Sequence, residues 1–240
     1  MPFTFSHPAI VFPAAFLPRR WVSFTGLVVG SLTPDFEYFL RMSVKSRCGH
    51  TLGGLFWFDL PLGVLLAFIF HNMVRDSLFD NLPSFFRARF SAFRRFDWNA
   101  YFKKNWLVVS ASVLAGAASH ILWDGFTHGH GCFVGMMPAL ANRVDVLGVN
   151  MPVFKILQHA STAVGGGVVG IVMCMLPTDG KAGGKVSVTY WAVAAGVVVW
   201  IVAVRFLCGL DIRQYGNVSV TCISASLISL ALTPQLIKQR

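Results

Sequence analysis

The sequence predicts an all-α, polytopic membrane protein of five to six transmembrane helices, with an N-terminal short-helix hairpin or first span. Two observations carry that prediction. Hydrophobic residues make up 55% of the chain and charged residues only 12%, where a soluble domain carries about 25% charge. The mean hydropathy is +0.63, and the apolar residues gather into stretches of the roughly 20 residues that cross a hydrocarbon core. This composition excludes a disulfide scaffold, a coiled coil and a disordered acidic tail.

Taken in order, the apolar spans read at about 53–74, 106–124, 152–176, 188–209 and 217–237. Before them lies a less regular region broken by Pro8, Pro13 and Pro18, which suggests two short helices, Ala9 to Leu17 and Trp21 to Leu32. At about 15 Å each they are too short to cross singly, so they form either one interrupted first span or a re-entrant hairpin. No cleavable signal is expected, because Met1 to Ser6 lacks a positive start. Residues 1–176 read as a motif-bearing membrane domain and 177–240 as a C-terminal two-helix hairpin. In the third span Gly165, Gly166, Gly167 and Gly170 mark close helix packing rather than a phosphate loop.

A net charge of +10 invites a nucleic-acid partner, but the placement of the basic residues favours the membrane. With residues 1–40 counted as one span, the N-terminus, the 75–105 loop, the 178–187 loop and the C-terminus share one side with 13 Lys and Arg, against five on the other. The positive-inside rule makes the richer side cytoplasmic. Within the 75–105 loop, Phe86, Phe90 and Phe93 recur among Arg87, Arg89, Arg94 and Arg95, as in an amphipathic basic helix. Segment 83–105 is therefore expected to meet membrane lipids, anionic ones in particular, and no nucleic acid.

The chain has only seven His and ten acidic residues. Asp35, Glu37, His50, His120, Asp124, His128, His130 and His159 nevertheless all map to the outer ends of the first four membrane segments. Ionisable groups at such depths are costly and face partners or a shared cavity, so their convergence calls for a common ligand or network. The strongest element is Ser119-His-Ile-Leu-Trp-Asp-Gly-Phe-Thr-His128, with His120, Asp124 and His128 at i, i+4 and i+8. One-turn neighbours stand about 5–6 Å apart at Cβ, close enough to share a cation, although Gly125 threatens to end the helix before His128. The alternative for this set is a buried His–Asp pair that locks helices together.

Thr33-Pro-Asp-Phe-Glu-Tyr38 adds Asp35 as a ligand and Glu37, facing another way, as general base or further ligand. Pro34 favours an extended Thr33. His50 opens the next span. His7 is a weaker ligand candidate, while Asp59 and His159 could orient a ligand from behind it or relay a proton. Asp124 doubles as a catalytic candidate with Glu37, and Arg41 and Arg47 could hold an anionic headgroup. The five cysteines form no Cys-x-x-Cys pair, but Cys48 and Cys132 fall in outer loops where a disulfide could form.

Ser6-His-Pro, Gly30-Ser-Leu-Thr-Pro-Asp-Phe-Glu-Tyr-Phe39, Phe58-Asp-Leu-Pro-Leu-Gly63, the segment from Ser119 to His128, and Leu157-Gln-His-Ala-Ser-Thr162 together resemble the bacterial membrane family domain of unknown function 4184. That resemblance implies a bacterial inner-membrane protein and no particular activity. More loosely, the order of His7, Pro34-Asp-x-Glu, His50 and Ser119-His-x-x-x-Asp resembles the membrane-bound metal-dependent hydrolases. It implies His7, Asp35, His50, His120 and Asp124 as metal-site positions.

The function expected from these residues is a His/carboxylate site for a divalent metal, Zn or Mn, at the outer interface, hydrolysing a lipid or lipid-linked ester or phosphoester. A proton- or ion-coupled transporter and a non-catalytic membrane scaffold are the alternatives. The orientation has a direct check: in intact cells, a Ser91→Cys variant is expected to resist a membrane-impermeant thiol reagent until the membrane is opened. Labelling from outside would reverse the topology.

Overall fold

The computed structural model describes residues 3–178 and 186–237. The basic residues Lys181, Lys185, Lys238 and Arg240, which enter the charge asymmetry above, lie outside them. Among the described residues five helices are long and apolar enough to cross a membrane: α3 (Leu55–Asn81), α5 (Trp98–Thr127), α7 (Val153–Met175), α8 (Val188–Leu207) and α9 (Tyr215–Leu236). The shorter helices are α1 (Phe24–Gly30), α2 (Thr33–Arg41), α4 (Ser84–Phe90) and α6 (Cys132–Met136). The protein is thus a multi-pass helical membrane protein. It divides into two compact units, the first comprising the chain up to Pro34, Cys48–Val64 and Asn105–Val172, the second Asp35–Arg47, Leu65–Lys104 and the chain from Met173.

Among the described residues of the first unit, the N-terminal region contains no helix of spanning length. It forms two 3-10 segments, Thr4–Ile10 and Phe12–Phe16, rather than the helix expected from Ala9. Pro8 and Pro13 deny the α-type ladder its donors, while shorter i→i+3 bonds survive, such as Ala14 N–H to the Val11 carbonyl at 3.1 Å. Ser23 then caps α1 by accepting from Gly26 N at 3.3 Å, and its own N–H donates to Ser112 Oγ on α5 at 2.8 Å. Helix α1 meets α5 backbone to backbone: a Cβ on Gly30 would overlap the Val113 carbonyl, and one on Gly116 the Leu27 carbonyl. Lipid tails are as apolar as leucine, so close van der Waals contact of this kind, rather than water exclusion, holds membrane helices together.

Thr33 begins α2 instead of standing extended before it, with Pro34 in the first turn where a missing N–H costs nothing. Helix α3 opens with a π turn, Leu55–Asp59, in which Leu60 N–H reaches the Leu55 carbonyl, a widening that accommodates Pro61. Helix α5 has a non-helical residue at Asn105 (φ −126°, ψ 22°) and continues through Gly125 to Thr127. Phe126 there stacks on Phe133 of α6, ring centroids 4.0 Å apart. Before α7 lies a small antiparallel hairpin, β1 (Arg143–Val146) and β2 (Val149–Pro152), closed by Leu147 and Gly148, both at positive φ as a two-residue primed turn requires.

In the second unit, Ser187 caps α8, and Ser229 Oγ of α9 donates to the Ala194 carbonyl of α8 at 2.8 Å. The basic segment departs from its expected form. Helix α4 ends at Phe90 and a 3-10 turn takes over Ser91–Arg95, so Phe93 leaves the helical register of Phe86 and Phe90. Two of its arginines serve main-chain carbonyls: Arg87, buried, donates to Leu82 O at 2.9 Å, and Arg89 to Cys174 O at 2.9 Å. Both carbonyls lie at helix ends, where no intrahelical donor remains.

The crossing of α1 and α5 generates a contrast. Gly30→Leu and Gly116→Leu are each expected to cost about 1–3 kcal/mol by overpacking, measured as reversible unfolding in detergent. Gly167→Ala on α7, where an added Cβ meets nothing within 4 Å, is expected to be neutral or stabilising by up to about 1 kcal/mol.

Candidate metal centre

Asp124 occupies the last turn of α5, and the site is built around its carboxylate, which is 8% exposed. One turn earlier on the same helix His120, fully buried, places Nε2 at 3.4 Å from Asp124 Oδ2. Its other ring nitrogen, Nδ1, lies 2.7 Å from the Ser31 carbonyl at the end of α1. A carbonyl only accepts, so that contact requires the proton on Nδ1 and turns Nε2 toward Asp124 as a lone-pair donor. Metal-ligating imidazoles are commonly oriented by such a partner.

Two further segments of the same unit bring imidazoles to this carboxylate. His7, in the first 3-10 turn, places Nε2 at 3.7 Å from Oδ1, and its ring stacks on that of His120 with centroids 3.7 Å apart. The segment is pinned to α7, since Phe3 N–H donates to Thr162 Oγ1 at 3.0 Å and Ser6 Oγ to the Thr162 carbonyl at 3.1 Å. A Cβ on Gly165 would press into Ser6, so glycine there sets the depth of the N-terminal turn. His50, in the turn before α3, places Nε2 at 3.4 Å from Oδ2. Thr51 fixes this turn by donating to the Cys48 carbonyl at 2.8 Å while accepting from Gly54 N at 2.9 Å.

His128 follows the last turn of α5, with Nδ1 at 3.5 Å from Asp124 Oδ1 and 3.1 Å from its carbonyl. Burial pushes its pKa below the ordinary histidine value, an effect the Asp124 charge opposes. The neutral imidazole that results is the form that ligates metals.

The spacing is informative. Nitrogen–oxygen distances of 3.4–3.7 Å exceed the roughly 2.7–3.2 Å of a good hydrogen bond. They match the edge of a tetrahedron with metal–ligand bonds of about 2.1 Å, which is about 3.4 Å. His50, His120 and Asp124 each offer a ligand atom within 4.8 Å of the others. Two imidazoles and a carboxylate, drawn from two segments and one oriented from behind, are a donor set that could hold a metal ion.

The remaining predicted residues divide between the two units. Asp35, fully buried, lies on the first turn of α2, peptide-bonded to Pro34 of this unit. Glu37, one half-turn on, belongs to the second unit, where its oxygens accept from Arg41 Nε at 2.9 Å, Ser46 Oγ at 2.8 Å and Arg47 N at 2.9 Å. With its lone pairs committed to three donors it anchors the turn after α2, and Arg41 and Arg47 serve that anchor. Asp59 is fully buried at the end of the first π turn of α3. His159 and His130 are exposed and do not join the group around Asp124. Cys48 and Cys132 are free thiols, so no bridge covers the site. Sequence reasoning missed the Ser31 carbonyl, which has no side-chain signature, and the role of Thr162, for which the Ser-Thr pair in α7 was the available signal.

The family model described as a domain of unknown function, 4184 in its series, matches residues 1–237. No curated protein and no solved structure matches the chain.

The Glu37 network separates a structural carboxylate from a reacting one. Glu37→Gln is expected to lower stability by about 1–3 kcal/mol through loss of charge-assisted hydrogen bonds and to leave the metal content of the folded protein unchanged. Loss of metal at unchanged stability, measured by elemental analysis beside unfolding, would return Glu37 to the centre.

Proposed function

Since the chain belongs to the domain of unknown function 4184 family, whose name prescribes no chemistry, we propose its function from its own residues: a divalent-metal-dependent hydrolase of a lipid or lipid-linked ester or phosphoester. The observation that carries the proposal is the spacing of imidazole nitrogens around Asp124 at ligand-polyhedron distances. His50, His120 and Asp124, all of the first unit, are the proposed donor set. Asp35 is retained as the further ligand expected from the Thr33-Pro-Asp motif. The Asp124 carboxylate, buried in a helix of spanning length, favours a neighbouring cation. The mixed imidazole and carboxylate set suits Zn or Mn.

A divalent ion in this position supplies Lewis acidity and a water of lowered pKa. The chain's own residues do the rest. The Ser31 carbonyl fixes the His120 tautomer, and His7, with Nε2 at 3.7 Å from Asp124 Oδ1, is the imidazole that would hold a proton beside the carboxylate, while His128 donates from Nδ1 to the Asp124 carbonyl. Arg47, exposed and serving Glu37 through its main-chain N–H, is the residue proposed to favour an anionic headgroup, since the charge of Arg41 is paired with Glu37. The centre is proposed to face outward, with the 75–105 loop and the C-terminus cytoplasmic in a bacterial inner membrane, supported by the distribution of basic residues. Lipid contact by segment 83–105 is retained for Arg95, exposed in its last 3-10 turn.

The test is elemental analysis of protein purified without chelator, followed by assay of lipid esters and phosphoesters. About one Zn or Mn per chain is expected. His120→Ala and Asp124→Asn are each expected to lower metal affinity by at least about 10–100-fold and to abolish hydrolysis, with a chelator reproducing the loss and metal restoring it. Folded, metal-free protein in which His120→Ala alters proton or ion flux would establish the carrier instead. Metal-free protein with neither activity would leave a packing cluster.

A further inference from the structure

The first unit contains a cavity of about 430 Å³ between the N-terminal 3-10 turn, α5 and α7. Its walls include Ile10, Trp123, Leu157, Val164 and Val168, with His7 on the side of the metal centre. The lining hydroxyls are turned onto main chain, Ser6 Oγ donating to the Thr162 carbonyl and Ser161 Oγ to the Leu157 carbonyl. The surface offered to an occupant is therefore almost wholly apolar, and His7 is the titratable residue of the lining. The same His7 places Nε2 at 3.7 Å from Asp124 Oδ1, so one imidazole is shared between an apolar groove and the polar centre.

We propose that this groove binds the hydrocarbon chain of a membrane lipid and presents the lipid's polar linkage to the centre at His7. The inference rests on the hydrolase reading for what happens to that linkage, and specifies its substrate as a lipid carrying an acyl or prenyl-like chain. Length supports this occupant. From Leu157 to Val168 the groove follows α7 for about 16 Å at 1.5 Å per residue, about the depth of one leaflet of a 30 Å hydrocarbon core. Access supports it as well. Val164, 66% exposed, and Trp123, 40% exposed, sit on helices of spanning length, so the groove opens sideways toward lipid. Its volume lies within the range of ligand sites, about 300–1,000 Å³. A chain already in hydrocarbon gains little by moving onto a protein wall of equal apolarity. Selection therefore falls to the headgroup, while the groove fixes the depth and direction of the chain behind it.

The test uses the full-length protein in nanodiscs containing, at low mole fraction, a phospholipid with a diazirine in its acyl chain. After photolysis, labelled peptides are mapped by mass spectrometry. Labelling of the Leu157–Val168 stretch and of the 3-10 turn at His7 is expected to saturate and to exceed labelling of Val199 and Trp200, exposed residues of α8. Ala160→Trp and the milder Ala160→Leu, which fill the groove, are expected to lower its labelling about tenfold and about threefold, equivalent to about 1.4 and 0.7 kcal/mol, with α8 labelling and metal content unchanged. Groove labelling that merely tracks α8 and ignores both substitutions would overturn the proposal. The two readings separate cleanly. Saturable groove labelling in a protein that binds no metal would refute the hydrolase and retain the lipid site, whereas one metal per chain without saturable labelling would refute the groove and retain the centre.

Discussion

The organising constraint is the burial of Asp124 in a helix long enough to cross a membrane. A carboxylate placed there without compensation is costly enough that the surrounding chain must come to it. It does so from three directions within one unit: His120 from the preceding turn, His7 from the N-terminal 3-10 segment and His50 from the turn before α3. Each approach has its own device. The Gly30 and Gly116 contact brings the end of α1 against α5, Thr162 and Gly165 hold the N-terminal turn on α7, and Thr51 closes the His50 turn. The short, proline-broken segments at the start of the chain belong to this requirement, since a regular helix through His7 would need the donors that proline lacks.

In the second unit the same economy of polar groups serves main-chain satisfaction. Arg87 and Arg89 spend their donors on carbonyls at helix ends, Arg75 on the Phe96 carbonyl at 2.7 Å, and Trp191 on the Asn81 carbonyl at 2.8 Å. An amphipathic pattern states which side chains stand together and is silent about what they meet. Thus Arg87 and Arg89, which share an amphipathic pattern with Arg94 and Arg95, spend donors on main-chain carbonyls, while Arg94 pairs with the Asp80 carboxylate at 2.7 Å.

The spans were legible because hydropathy is a sum over many residues: the stretch expected at 152–176 is α7 at Val153–Met175. Helix α5 begins at Trp98, well before the apolar run at 106, because Asn99, Lys103 and Lys104 end a hydropathy signal without ending a helix. The His120–Asp124 pair was visible through its one-turn spacing, and His7 and His50 through the scarcity of histidine in an apolar chain. His159 shared that scarcity, yet it lies outside the cluster, because α7 is apolar on most sides and its sequence does not say which face turns inward. The β-hairpin escaped notice because four-residue strands leave too little alternation to detect.

The contact that orients His120 ends on the carbonyl of residue 31, a group every amino acid carries. Substitution at position 31 therefore leaves the acceptor in place so long as α1 ends where it does. The ring's tautomer is inherited through the path of the backbone, and sequences can diverge at this position while preserving the same lone pair toward Asp124. A centre supported in this way is robust to point mutation behind its ligand and vulnerable to anything that lengthens or displaces one short helix.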